Sequence, residues 1–242
     1  MNAFNNFLFV ALPYAAIVLF VIGTIYRYRV TKFQVSSLSS QFLEGKKLFF
    51  GTIPFHWGIV VLFFGHLIAF LIPRAVLLWN GDPLRLVILE VTAFAFGISL
   101  LTGLILLIYR RWTNPRVRMV TNRMDVFIEL LLLAQVVLGL WVAYDFRWGS
   151  NWFAAVLSPY LWSIFKFSPD ASAVIAMPWV VKLHIVGAYL IIGLIPFSRL
   201  MHVLVPPINY LWRSYQLVRW NWDRKEVRKP SRGWHVKEPK NN

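Results

Sequence analysis

Five long apolar blocks, with the charges confined between them, limit what this chain can fold into more than any other feature. They fall at about 7–26, 53–72, 86–109, 124–144 and 178–205. Each approaches or reaches the roughly 20 apolar residues that a bilayer-spanning helix requires. The linkers are too short to build a separate core, and 58% of the residues are hydrophobic. The expectation is an all-α, polytopic membrane protein with five transmembrane helices. The first block reads as a retained helix rather than a signal peptide, because Met1 to Phe9 holds no Lys or Arg and no small-residue cleavage site follows the apolar core.

The formal net charge of +15 could suit nucleic acid, but the basic residues are sorted by loop rather than along a groove-facing stripe. Arg27, Arg29, Lys32, Lys46 and Lys47 fill the first connection; Arg110, Arg111, Arg116, Arg118 and Arg123 fill the third; nine more follow from Arg213 onward. The second connection holds only Arg74 and Arg85, and the fourth Arg147 and Lys166. Under the positive-inside rule the first and third connections and the C-terminus are cytoplasmic. The N-terminus is then outside, and five spans satisfy both ends. No nucleic-acid partner is expected; the basic connections suit anionic membrane lipid or a cytoplasmic partner.

Four of the five histidines lie inside two of the apolar blocks: His56 and His66 in the second, His184 and His202 in the fifth. A lone histidine in hydrocarbon is most often a satisfied packing or hydrogen-bonding residue, but four placed two per helix ask for a functional reason. A second helix beginning near Pro54 and ending by Pro73 puts His56 at its inner end and His66 near its outer end, roughly 15 Å apart along the axis. The fifth runs the opposite way from Pro178 to Pro206. His184, six residues from Pro178, shares the outer level with His66; His202, four from Pro206, shares the inner level with His56. The eighteen residues between His184 and His202 make five whole turns, so both would leave one face, but roughly 27 Å apart. A tilt or a bend at Pro196 would absorb part of that mismatch.

Two bis-histidine pairs point to two b-type haems, with a metal-ion or proton-relay transporter as the rival reading. The absence of cysteine excludes thiolate ligation and covalent c-type haem. Bis-imidazole iron has no open position and suits electron transfer. Gly58, Gly65 and Gly187, beside the ligands, would let a flat macrocycle approach, and Arg110, Arg111 and Arg199 are inner-level cations for its propionates. A transporter would want acids along its path, and only Glu90 and Glu129 qualify. Glu129, a turn inside the fourth helix, needs a cation partner. The outer connection 145–177 carries Trp148, Trp152, Tyr160, Trp162 and Phe165, and either lies flat at the interface or caps a site. His235, in the basic tail, reads as a solvated side chain.

Several stretches resemble the gamma subunit of respiratory nitrate reductase, a dihaem cytochrome b: Ser39-Ser40-Gln41, Phe55-His56 with Gly58-Ile59 and Gly65-His66, Pro115-Arg116-Val117-Arg118, Leu183-His184, Pro196-Phe197-Ser198-Arg199-Leu200 with His202, and Tyr215-Gln216-Leu217-Val218-Arg219. Wider relatives in sulfur and methanogen electron transfer share the four-histidine placement. The resemblance implies a multi-pass subunit of the cell (inner) membrane that oxidises quinol, of menaquinol or ubiquinol type, near an outer haem held by His66 and His184. Electrons would cross to an inner haem held by His56 and His202, then reach an iron–sulfur subunit and a molybdenum catalytic subunit in the cytoplasm. By position, Arg85 would stand near the quinol oxygen. The expected division is a haem domain over 1–219 and a basic tail over 220–242, the latter longer and more basic than the resemblance leads one to expect.

Overall fold

The computed structural model describes residues 3–31 and 46–204; the tail 220–242 and His235 lie outside the described residues. Five helices are long and apolar enough to cross a membrane. The first, α1, is a continuous run of Ala3–Asn6, Phe7–Ala11 and Leu12–Thr31, its middle piece wound as π-helix. The others are α2 (Lys46–Leu71), α3 (Pro83–Thr113), α4 (Arg123–Asp145) and α5 (Trp179–Leu194).

Two boundaries differ from the sequence expectation. Proline at a helix start is common because its missing N–H is not needed there, which is why α2 was expected to begin near Pro54. Instead α2 begins at Lys46 and carries Pro54 inside it. Ser99 of α3 donates its hydroxyl to the Pro54 carbonyl at 3.2 Å, a local anchor at the point where proline removes a helical hydrogen bond. The fifth span is not one α-helix to 205. It ends at Leu194, continues as a 3₁₀ turn over Ile195–Phe197, opens at Ser198 (φ −124°, ψ 177°), and resumes as 3₁₀ over Arg199–Leu204. Pro196 explains the exit, since its ring clashes with the preceding turn. The five-turn ladder from His184 to His202 therefore does not exist: in place of a tilted or bent helix, the α-helix ends two residues before Pro196.

Neighbour order follows from where small residues let backbones meet. α2 packs along α3: a Cβ on Gly58 would lie 2.7 Å from Leu100 Cβ and 2.8 Å from the Phe96 carbonyl oxygen, and one on Gly103 would run into the backbone of Phe55 and Gly51. The chain of extensive packing continues from α3 to α4, from α4 to α5 and from α5 to α1. Helices α2 and α5, which carry His56, His66 and His184, are not among the extensively packed pairs.

At one end of the bundle lie Arg110 and Arg111 of α3, Arg123 of α4 and Arg199, here called the basic end. At the opposite end the connection 145–177 folds into short helices, Gly149–Trp152 and Ser158–Phe165 joined by a π turn over Phe153–Leu157. This aromatic end does not lie loose on the surface. Ser158, fully buried, donates to the Ala69 carbonyl at 2.8 Å, Trp162 Nε1 to Phe70 O at 3.0 Å, and Tyr160 to Phe9 O at 2.8 Å. Phe9, Leu157, Tyr160, Val174, Val180 and Val181 belong to one apolar cluster shared by α1, the connection and α5.

Candidate functional site

The four histidines come from three kinds of local structure. His56 and His66 stand on α2, His184 on α5 and His202 on the 3₁₀ segment. A helical imidazole reaches back to the carbonyl four residues earlier, and Nδ1 of His56 lies 2.8 Å from Thr52 O while Nδ1 of His66 lies 2.8 Å from Leu62 O. His202 reaches Arg199 O, three residues back, at 2.7 Å. A backbone carbonyl only accepts, so each contact places the proton on Nδ1 and leaves the Nε2 lone pair free, the arrangement a metal-binding imidazole needs. His184 is different. Its Nδ1 is buried without a well-formed hydrogen bond, and its polar neighbour is the Gln135 backbone.

At the basic end the rings of His56 and His202 have centroids 6.2 Å apart and planes at 66°. Metal–imidazole bonds of about 2.0–2.1 Å put each ring centre roughly 3.1 Å from the metal, so two axial imidazoles on one ion have centroids about 6.3 Å apart. The observed separation is one at which both imidazoles could hold a single metal ion between them. Bare-ion binding has less support: among the described residues no three or more His, Asp or Glu side chains converge. At the aromatic end stand His66 of α2 and His184 of α5. The His66 ring, itself exposed, meets Phe153 of the aromatic connection edge-on at 5.3 Å.

The glycines divide. The face of Gly58 that a side chain would occupy is filled by α3, and that of Gly187 by the Gln135 amide, whereas Gly65 has nothing within 4 Å. Space for a flat ring therefore adjoins Gly65. Gly58 and Gly187 set helix spacing. Among the arginines, Arg110 is buried. Arg111 pairs with Glu129 at 2.5 Å and Asp125 at 3.5 Å, and Arg199 Nε with Asp125 at 2.9 Å. Glu129 thus finds the arginine its position requires. Arg85, at the start of α3, is exposed and lies 5.1 Å over the Trp79 ring.

Sequence reading missed the contribution of α4. A Cβ on Gly139 would lie 2.9 Å from His184 Cε1, and Gln135 Nε2 donates to the His184 carbonyl at 3.0 Å. An amide within an apolar span, followed one turn later by glycine, was the available signal. Missed too was a polar knot at the aromatic end: Glu90 accepts from Ser150 N at 2.8 Å and Oγ at 2.7 Å, and Asn80 donates to Ser150 and Asn151.

Comparison with known proteins matches residues 5–221 to the family described as nitrate reductase gamma subunit. The nitrate reductase gamma chain of Bacillus subtilis is 35% identical over 218 residues, 86% of this chain and 95% of that protein. The respiratory nitrate reductase 1 gamma chain of Escherichia coli is 32% identical over 222 residues, 90% of this chain and 99% of that protein. The nitrate reductase-like protein NarX of Mycobacterium tuberculosis is 31% identical over 237 residues, which is 92% of this chain but 35% of that longer protein. The family match spans all five apolar helices and both histidine pairs, and the chain belongs to the nitrate reductase gamma subunit family, a membrane-bound part of a nitrate reductase complex.

Proposed function

We propose that this chain is the dihaem cytochrome b subunit through which a respiratory nitrate reductase takes electrons from quinol. The observation that carries the reading is the 6.2 Å approach of His56 and His202 across two elements that lack an extensive packed interface, with Nδ1 of each ring held at a backbone carbonyl. Two b haems, one between His56 and His202 and one between His66 and His184, would supply one-electron transfer across the bilayer.

The residues of this chain have separable tasks in that reading. The four imidazoles offer Nε2. Arg110, Arg111 and Arg199, the last two already paired with Asp125 and Glu129, are the cations propionates would meet at the basic end, which the loop charges make cytoplasmic and where the iron–sulfur and molybdenum subunits dock. Gly65 leaves room for a macrocycle beside His66. At the aromatic, outward end, Phe153 stands edge-on to His66, and Arg85 is available to a quinol oxygen.

Purification of the intact complex tests this. Expected are a molybdenum-containing subunit and an iron–sulfur subunit in the preparation, a reduced b-type spectrum with two haems per chain, and quinol-dependent nitrate reduction. A chain isolated without a Soret band would defeat the reading in favour of a haem-free anchor, and an iron–sulfur partner without molybdenum would move it to a sulfur-pathway complex.

A further inference from the structure

We propose that Asp125 is the positioning residue for the basic-end haem ligand, acting through Arg199 on His202. This rests on the dihaem reading above.

His202 sits beyond the end of α5, on a 3₁₀ segment that starts after an open residue. No helical ladder back to α5 fixes where its ring points. Its Nδ1 contact is to the carbonyl of Arg199 at 2.7 Å, so the direction of the ring is only as fixed as Arg199 itself. Arg199 is held through its side chain: Nε lies 2.9 Å from Asp125 Oδ1, and Nη2 donates to the Val120 carbonyl at 2.9 Å. Asp125 is a firm anchor. It is buried, and it closes a capping box at the start of α4, its Oδ2 accepting from Asn122 N at 3.1 Å while its own N–H donates to Asn122 Oδ1 at 2.7 Å. From the other side, Arg27 of α1 donates to Pro196 O at 2.6 Å and Ser198 O at 3.3 Å. The break before His202 is thus held from α1 and the segment after it from α4. Groups one step removed from a metal commonly orient its imidazole ligands; here the orienting carboxylate works through an arginine and that arginine's backbone.

The network supplies its own control. Glu129 joins it through Arg111 at 2.5 Å, so Glu129→Gln removes the same charge as Asp125→Asn but leaves the Asp125–Arg199 contact in place. The test is electron paramagnetic resonance with a redox titration of the holo complex. The g values of a low-spin ferric haem report the orientation of its axial imidazoles, and the midpoint reports charge. Asp125→Asn is expected to shift both g values and midpoint of the basic-end haem, leaving the aromatic-end haem unmoved. Glu129→Gln is expected to raise the midpoint and leave the g values alone. Arg199→Lys, which keeps the charge but not the fork, is expected to shift the g values. The proposal is overturned if Asp125→Asn alters only the midpoint, as Glu129→Gln does, or if both haems move together. Should Asp125→Asn fail to assemble, Arg199→Lys decides: altered g values support the positioning role and unaltered ones refute it. A wild-type complex lacking two low-spin signals would instead defeat the dihaem reading.

Discussion

The two histidine pairs are held by different physics. At the basic end His202 hangs on a non-α segment fixed by Arg27, Asp125 and Arg199, and His56 faces it from an exposed stretch of α2. At the aromatic end His184 is set within regular α5, pressed onto Gly139 of α4, while His66, as exposed on α2 as His56, touches Phe153 edge-on. One pair depends on charge–backbone contacts near the membrane surface, where salt and partners act. The other depends on the close packing of His184 between α5 and α4, where a single methyl is felt. Perturbations should therefore separate the two.

The largest separation is expected from glycine. Gly139→Ala places a methyl 2.9 Å from His184 Cε1, tighter than a rigid helix pair absorbs, and is expected to remove or strongly shift the aromatic-end haem while the basic-end haem persists. Gly65→Ala meets nothing within 4 Å; any loss of haem from it would report the macrocycle itself. Visible spectra of the two variants, read against haem content, settle the contrast. If Gly139→Ala leaves both haems intact, packing does not set the aromatic-end ligand.

This contrast marks what was legible in the sequence. The five apolar blocks and the two-by-two placement of histidines follow from composition and spacing, because hydrocarbon leaves so few backbone options. The start of α2 was not legible: Pro54 looks like a first-turn residue, and only the packing on α3 through Gly58, Ser99 and Gly103 keeps the helix going through it. The three-residue reach of His202 to Arg199 was hidden as well, since counting α-helical turns assumes a helix that ends at Leu194. Nor could spacing show that the aromatic connection folds onto α2 and α1, because Ser158 and Trp162 find acceptors in Ala69 and Phe70 of α2 and Tyr160 in Phe9 of α1, far away in sequence.

A second substitution should blur the comparison rather than sharpen it. Gly103→Ala collides with the backbone of Phe55 and Gly51, and overpacking of this kind typically costs about 1–3 kcal/mol. Because α2 carries one histidine of each pair, the proposed dihaem arrangement predicts that thermal loss of the two haems comes earlier together. Separate loss would mean that the two ends of α2 move independently.

Smaller effects belong to the aromatic end alone. Ser158→Ala removes the buried hydrogen bond to Ala69 O, a change worth about 1 kcal/mol. Faster loss of the aromatic-end haem on heating, with the basic-end haem unchanged, is the expected reading. Smallest is Tyr160→Phe. Burial pushes the Tyr160 hydroxyl up to about 12 from its ordinary 10.0, so the folded state holds the neutral phenol after the unfolded chain has lost that proton. The stabilisation is complete below pH 10 and declines as pH rises toward 12. Alkaline melting curves of Tyr160→Phe should show a shallower decline over that interval; identical slopes would remove Tyr160 from the cap.

The pairing itself is tested most directly by redox titration of four single variants, His56→Ala, His202→Ala, His66→Ala and His184→Ala, each in the assembled complex. The two-pair arrangement predicts that His56→Ala and His202→Ala abolish one and the same midpoint, and that His66→Ala and His184→Ala abolish the other. Loss of different midpoints within either pair, or retention of both in any variant, would contradict it.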